Sequence, residues 1–146
     1  FDFYFKNGDI EQASTVCDDA IKADSLNTIT LFAKSTIFLT LKQYDKCIGM
    51  CEKIIALDSN HPDVYLNAGL AYFNQAVAIE TSRKYSRDKR SLLVDLYRKA
   101  LPYMEKYRKL APNAQDKWAM PLYTIYLNLN MGKEFDEIDS LIRAHG

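Results

Sequence analysis

Tyr4-x3-Gly8-Asp9-x3-Ala13-x6-Ala20 returns 34 residues later as Phe38-x3-Lys42-Gln43-x3-Cys47-x6-Ile54. Half of the layout recurs as Tyr65-x3-Gly69-x2-Tyr72, and the other half as Ala100-x3-Met104-x2-Tyr107-x4-Pro112. A fixed period of this length, with small residues at fixed offsets, is the mark of stacked helical hairpins. One hairpin cannot bury its apolar face alone, so the unit must be repeated.

Composition and periodicity agree. The chain has 146 residues, 48% hydrophobic and 26% charged, with a net charge of zero, which fits one ordinary globular domain. Ile29, Phe32, Ser35, Thr36 and Leu39 recur at helical spacing, as do Ile48, Cys51, Ile54 and Ile55. Strand-like alternation is absent from the sequence. Gly69 inside a helix costs about 1 kcal/mol against Ala, so a closely approaching neighbour is expected there. Pro62 suits the first position of a helix, where its missing N–H is harmless. Ser25 and Ser59 suit breaks between helices.

These positions resemble the tetratricopeptide repeat family, and the resemblance spans nearly the whole chain. The family implies two antiparallel helices per repeat. The first carries a large, a small and an aromatic residue; the second carries Ala, a large residue and Ala. Residues 28–61 supply Leu31, Ser35 and Phe38, then Cys47, Cys51 and Ile54. Residues 62–112 supply Tyr65, Gly69 and Tyr72, then Ala100, Met104, Tyr107 and Pro112. A partial repeat over about 1–27 enters in mid-helix, with Tyr4, Gly8, Ala13, Cys17 and Ala20 in register. Residues 113–146 form an atypical pair suited to capping. The implied fold is all-α: an α-α superhelix, a right-handed solenoid of antiparallel hairpins.

The expected helices cover about 1–7, 9–23, 28–41, 44–57, 62–80, 90–110, 114–130 and 133–145. Two segments depart from the family spacing. Between Tyr72 and Ala100 the chain is about 19 residues longer than the repeat requires. Residues 73–80 continue a helix, 81–90 are a polar basic hinge, and 91–97 are helical again. This predicts one elongated hairpin, 62–110, whose arms project past the stack. Tyr126 to Gly132 spans six residues where the family has four, and Asn130 suits the turn because Asn tolerates the left-handed conformation. Pro102 and Pro121 fall inside expected helices, which either kink there or restart.

Cys47 and Cys51, spaced i, i+4, share a helix face, but they and Cys17 occupy positions that want a small hydrophobe. With His61 and His145 out of register, a zinc set lacks ligands, and no metal or cofactor is expected. His61 before Pro62 suits a helix cap. The sequence lacks a Gly-rich phosphate loop, an HExxH motif and a nucleophile elbow, so the chain reads as non-enzymatic. Unpaired cysteine spacing leans towards a reducing compartment such as the cytoplasm, although a leader upstream of Phe1 would not be visible in these residues. No stretch approaches the roughly 18 apolar residues of a membrane span.

Charge is distributed unevenly. Residues 1–27 and the tail are acidic, whereas 81–110 is rich in Arg and Lys. The hairpin tip, Arg83, Lys84, Arg87, Lys89 and Arg90, is either a solvated face or a surface for an acidic partner or phosphate groups. Nucleic acid is not an expected partner, because the domain is not basic overall and has no reading motif. By the resemblance, the concave groove is lined by Ile29, Phe32, Thr36, Leu39 and Thr40, then Asp63, Leu66, Asn67, Leu70, Phe73 and Asn74. The Lys and Arg of a carboxylate clamp are missing there. This leaves an apolar groove with amide donors, Asn67 and Asn74, suited to an amphipathic helix or an extended apolar peptide. Alternatively, the last helices curl in and cover it. Phe1, Phe3, Tyr4 and Phe5 are too apolar for a free end, which predicts a longer protein upstream or self-association through this face.

Overall fold

The computed structural model describes residues 9–82 and 86–145. The expected helix over 1–7, with Phe1, Phe3, Tyr4 and Phe5, lies outside them, as do Arg83 and Lys84 of the basic tip. The described residues form seven α-helices and no strand: α1 Ile10–Ala23, α2 Thr28–Thr40, α3 Tyr44–Leu57, α4 Pro62–Glu80, α5 Arg90–Leu110, α6 Gln115–Asn128 and α7 Gly132–His145. A short 3-10 turn, Arg87–Lys89, leads into α5.

The sequence period becomes a period of local structure. Asp24 and Asp58, 34 residues apart, end α1 and α3 in nearly the same extended backbone, φ/ψ −149/93 and −148/98. Each carboxylate accepts a hydrogen bond from the N–H two residues on, Leu26 at 3.2 Å and Asn60 at 3.1 Å. Such a turn holds the chain without an extra glycine. The turns inside the pairs are of a second kind. Lys42 and Asn130 take left-handed backbones, φ 61 and 57. The next N–H then reaches back, Gln43 to the Phe38 carbonyl at 2.8 Å and Met131 to the Tyr126 carbonyl at 3.0 Å. These are Schellman closures, which satisfy carbonyls that the helix end leaves unpaired. Asn130 thus takes the turn position expected of it, and Lys42 holds the place that Gly8 has one period earlier.

Neighbours in sequence pack against one another, and α4 also touches α2 and α6. The main core gathers Tyr65, Tyr97, Met104, Tyr107, Trp118, Leu122, Ile125, Tyr126 and Ile138. A second cluster joins α2, α3 and α4 through Leu31, Cys47, Cys51, Ile54, Val64 and Ala68. A small third one joins α1 to α2. All three cysteines are free and fully buried among these residues. Gly69 has the expected close neighbour. A Cβ there would lie 2.9 Å from Met104 Cε and 3.5 Å from Tyr103 Cβ.

The elongated hairpin is present: α4 has 19 residues and α5 has 21, against 13 or 14 in the other helices. At 1.5 Å per residue, α4 and α5 are each about 30 Å long and the other five about 20 Å. Both interior prolines sit within unbroken helices, so the helices do not restart. Pro102 is exposed and Pro121 half-buried, which lets solvent reach backbone that lost its partner. Two expectations need correction. Periodicity placed Ser35 on one face with Ile29, but Ser35 is fully buried while Ile29 is 71% exposed. α2 is apolar nearly all round, so spacing alone did not show which side packs. His61 occupies the residue before α4 but makes no capping hydrogen bond, and its buried Nδ1 has no partner.

Candidate functional site

The face expected to bind a ligand runs along α2 and α4. On α2, Ile29 projects freely, while Phe32, Thr36 and Leu39 are half-buried and Thr40 is exposed. On α4, Leu66, Leu70, Phe73 and Asn74 are half-buried and Asp63 is exposed. The apolar members lean on the clusters beneath: Phe32 and Leu39 on the second, Leu66, Leu70 and Phe73 on the main one. The Phe32 ring lies 5.1 Å from His61, and that of Phe73 lies 5.8 Å from Tyr97. Each therefore shows one edge and spends the other on packing.

The two amide candidates separate. Asn67 is 7% exposed, and its Nδ2 donates to Ser35 Oγ and Thr36 Oγ1, both at 3.0 Å. Those hydroxyls in turn donate to the Phe32 carbonyl. Both Asn67 donors are consumed in locking α4 to α2, so it is not an available anchor. Thr36 is tied up with it. The Asn74 side chain is half-buried and makes no hydrogen bond among the described residues, so its amide is unengaged within the fold. Buried amides on facing helices pair with one another before they meet a ligand, and single-helix register could not show that.

The last helices do not take the place of a ligand on α2. α7 packs on α6, where the Tyr123 and Phe135 rings sit 4.7 Å apart. Two open depressions flank the hairpin turns. One of about 340 Å³ lies where α4 overhangs the α2–α3 turn, lined by Lys42, Gln43, Tyr44, Asp45, Lys46 and Gln75. The other, about 230 Å³ and almost wholly apolar, is lined by Tyr126, Leu127, Asn130, Met131, Gly132 and Phe135.

Much of the basic segment is engaged within the fold. Arg90 reaches Asn128 Oδ1 at 3.4 Å, Arg98 pairs with Asp95, and Arg108 pairs with Glu137 while lying 4.5 Å from the Trp118 ring. Lys99 lies over Tyr72. Arg87 is exposed and Lys89 half-buried. Two buried tyrosines donate to carboxylates, Tyr97 to Glu80 at 3.0 Å and Tyr126 to Glu105 at 2.8 Å. Burial, then the carboxylate, pushes each phenol well above its ordinary range. In the Cys47–Cys51 pair, the hydrogen bond between the thiols and then burial hold the Cys47 thiol far above its usual range. Among the described residues no cluster of His, Cys, Asp and Glu is placed to hold a metal, and no helix is long and apolar enough to cross a membrane.

No protein-family model and no curated protein matches this chain.

Proposed function

We propose that this chain is a non-enzymatic scaffold of tetratricopeptide-like hairpins that holds a peptide or protein segment along α2, α4 and α6. On this reading the pairs α2–α3, α4–α5 and α6–α7 are successive units of a right-handed superhelix. α1 is the second helix of the preceding unit, and the even-numbered helices form the concave side. Two features support it. The Asp24 and Asp58 turns, one period apart, flank the left-handed turn at Lys42, whose geometry returns at Asn130, and α4 touches both α2 and α6.

The observation that carries the binding reading is the row of half-exposed apolar side chains, Phe32, Leu39, Leu66, Leu70 and Phe73, with the unpaired amide of Asn74 beside it. A row of apolar edges with few polar groups suits an extended apolar strand or one face of an amphipathic helix. A displayed peptide library selected against the chain tests this. Enriched peptides should bind the wild type and lose at least tenfold in affinity, about 1.4 kcal/mol, against Ile29→Glu, Leu66→Glu with helicity unchanged. Peptides that bind the double variant equally well, or no enrichment at all, would contradict the groove. Peptides lost on Arg87→Glu, Arg90→Glu instead would move the site to the basic tip.

A further inference from the structure

α1 is attached differently from every other described helix. Its fully buried side chains are Ala13 and Cys17, and they meet Ala33 and Ile37 of α2, with Ile10 half-buried beside them. Half-buried Ile21 adds a contact with the α2–α3–α4 cluster. Among the described residues these mostly small side chains bury far less apolar area than the aromatic-rich main core, so their hydrophobic contribution to docking is modest. In the same contact stands a charged residue, Lys34, only 6% exposed. Its Nζ pairs with Asp18 Oδ1 at 2.9 Å, donates to Ser14 Oγ, and lies 5.0 Å above the Phe38 ring. Both polar partners come from α1, while the lysine and the ring come from α2.

We propose that α1 is a separable flap on α2, pinned by the buried Lys34 ammonium, and that it opens as a unit while the rest of the fold stays closed. The pin is asymmetric. The Asp18 side chain is 53% exposed, whereas that of Lys34 is 8% exposed. Removing the lysine leaves a carboxylate that water already solvates. Removing the carboxylate leaves an ammonium shut in beside apolar atoms without its counter-charge, which is the more damaging loss. Opening uncovers a strip of α2 made of Ala33, Lys34 and Ile37, a slot with one cation among apolar side chains. The flap therefore governs access to the only lysine buried among the described residues.

The cysteines provide the test. Cys17 is on the packed face of the flap itself, whereas Cys47 and Cys51 lie in the α2–α3–α4 core, and all three are free and buried. Thiol alkylation of the 146-residue chain, resolved by peptide mass, reports the opening of each region; rates are normalised to those of the chain in denaturant. Cys17 should label at least about 100-fold faster than Cys47 and Cys51, because local opening needs less free energy than global unfolding. Asp18→Ala should speed Cys17 labelling by about tenfold or more, and Lys34→Met should change it by less. Adding Lys34→Met to Asp18→Ala should slow labelling again, towards wild type. Equal rates at the three thiols would overturn the flap. A double variant that labels as fast as Asp18→Ala, or faster, would overturn the role given to Lys34. The wild-type comparison stands even where a variant fails to fold.

Discussion

The block formed by α4, α5 and α6 and the contact between α1 and α2 obey the same pairing rule with opposite filling. In the first, Tyr97, Met104, Tyr107, Leu122 and Ile125 are fully or almost fully buried, with Trp118 sealed against them. In the second, Ala13, Cys17, Ala33 and Ile37 supply a smaller apolar contact, and an ion pair between buried Lys34 and exposed Asp18 completes the joint. On the proposed repeat reading, each unit answers only to its neighbours, so stability need not be uniform along the chain. The apolar filling is concentrated where the chain departs from its period, at the elongated hairpin.

Trp118 anchors the denser of the two regions. Its ring packs in the main core and its Nε1 donates to the Ala111 carbonyl at 3.2 Å. Trp118→Ala should cost about 3–5 kcal/mol in chemical denaturation and loosen α4 to α7 together. Ile10→Ala, on the half-buried edge of α1, should cost about 1 kcal/mol or less. Equal losses would mean that the two regions are alike.

Two glycines sharpen the contrast. Gly69 faces Met104 and Tyr103, so Gly69→Leu should cost about 1–3 kcal/mol through overpacking. Gly49 lies inside α3 with nothing within 4 Å of an added Cβ, so Gly49→Ala should gain about 0.5–1 kcal/mol. Thermal melts of the two variants should move in opposite directions. Asn67 and Asn74 divide the face in the same way. Asn67→Ala should lose about 1–2 kcal/mol, because the hydroxyls of Ser35 and Thr36 each lose a donor. Asn74→Ala should leave stability within about 0.5 kcal/mol and weaken only peptide binding. If Asn74→Ala destabilised the fold as much as Asn67→Ala, the amide would belong to the framework.

The smallest effect is the pH dependence. Tyr97 and Tyr126 have folded-state pKa values raised above the unfolded value of about 10, by burial first and then by Glu80 and Glu105. The folded state therefore favours the neutral phenol. That stabilisation is complete below about pH 10 and is lost as pH rises towards the folded value. Stability should be flat with respect to these two groups up to about pH 10 and fall above it. Tyr97→Phe should shrink the fall, as followed by phenolate absorbance and denaturation together.

Helix order, helix lengths and both interruptions of the period were legible in the residues, because spacing and turn chemistry are local properties. The left-handed turn at Asn130 and the close approach at Gly69 were readable for the same reason. The Asp24 and Asp58 turns carried a signal in the paired Asp-Ser dipeptides, one period apart, that spacing of helical positions alone does not pick up. What could not be read was which polar groups meet across helices. Lys34 stands in the middle of α2 with no mark distinguishing it from a solvated lysine, and its partners lie 16 and 20 residues earlier on another helix. Asn67 has the right register for a ligand anchor, yet Ser35 and Thr36, a whole unit away, consume its donors. His61 sits where a cap belongs, but its ring turns to Phe32 instead.

The most direct test of the proposed binding face is amide chemical-shift mapping of a library-selected peptide titrated into the full chain. Shifts concentrated around Phe32, Leu39, Leu66, Leu70, Phe73 and Asn74, and reaching α6, are the predicted result. Shifts confined to the exposed sides of α5 or α7, with the α2–α4 face unchanged, would contradict it.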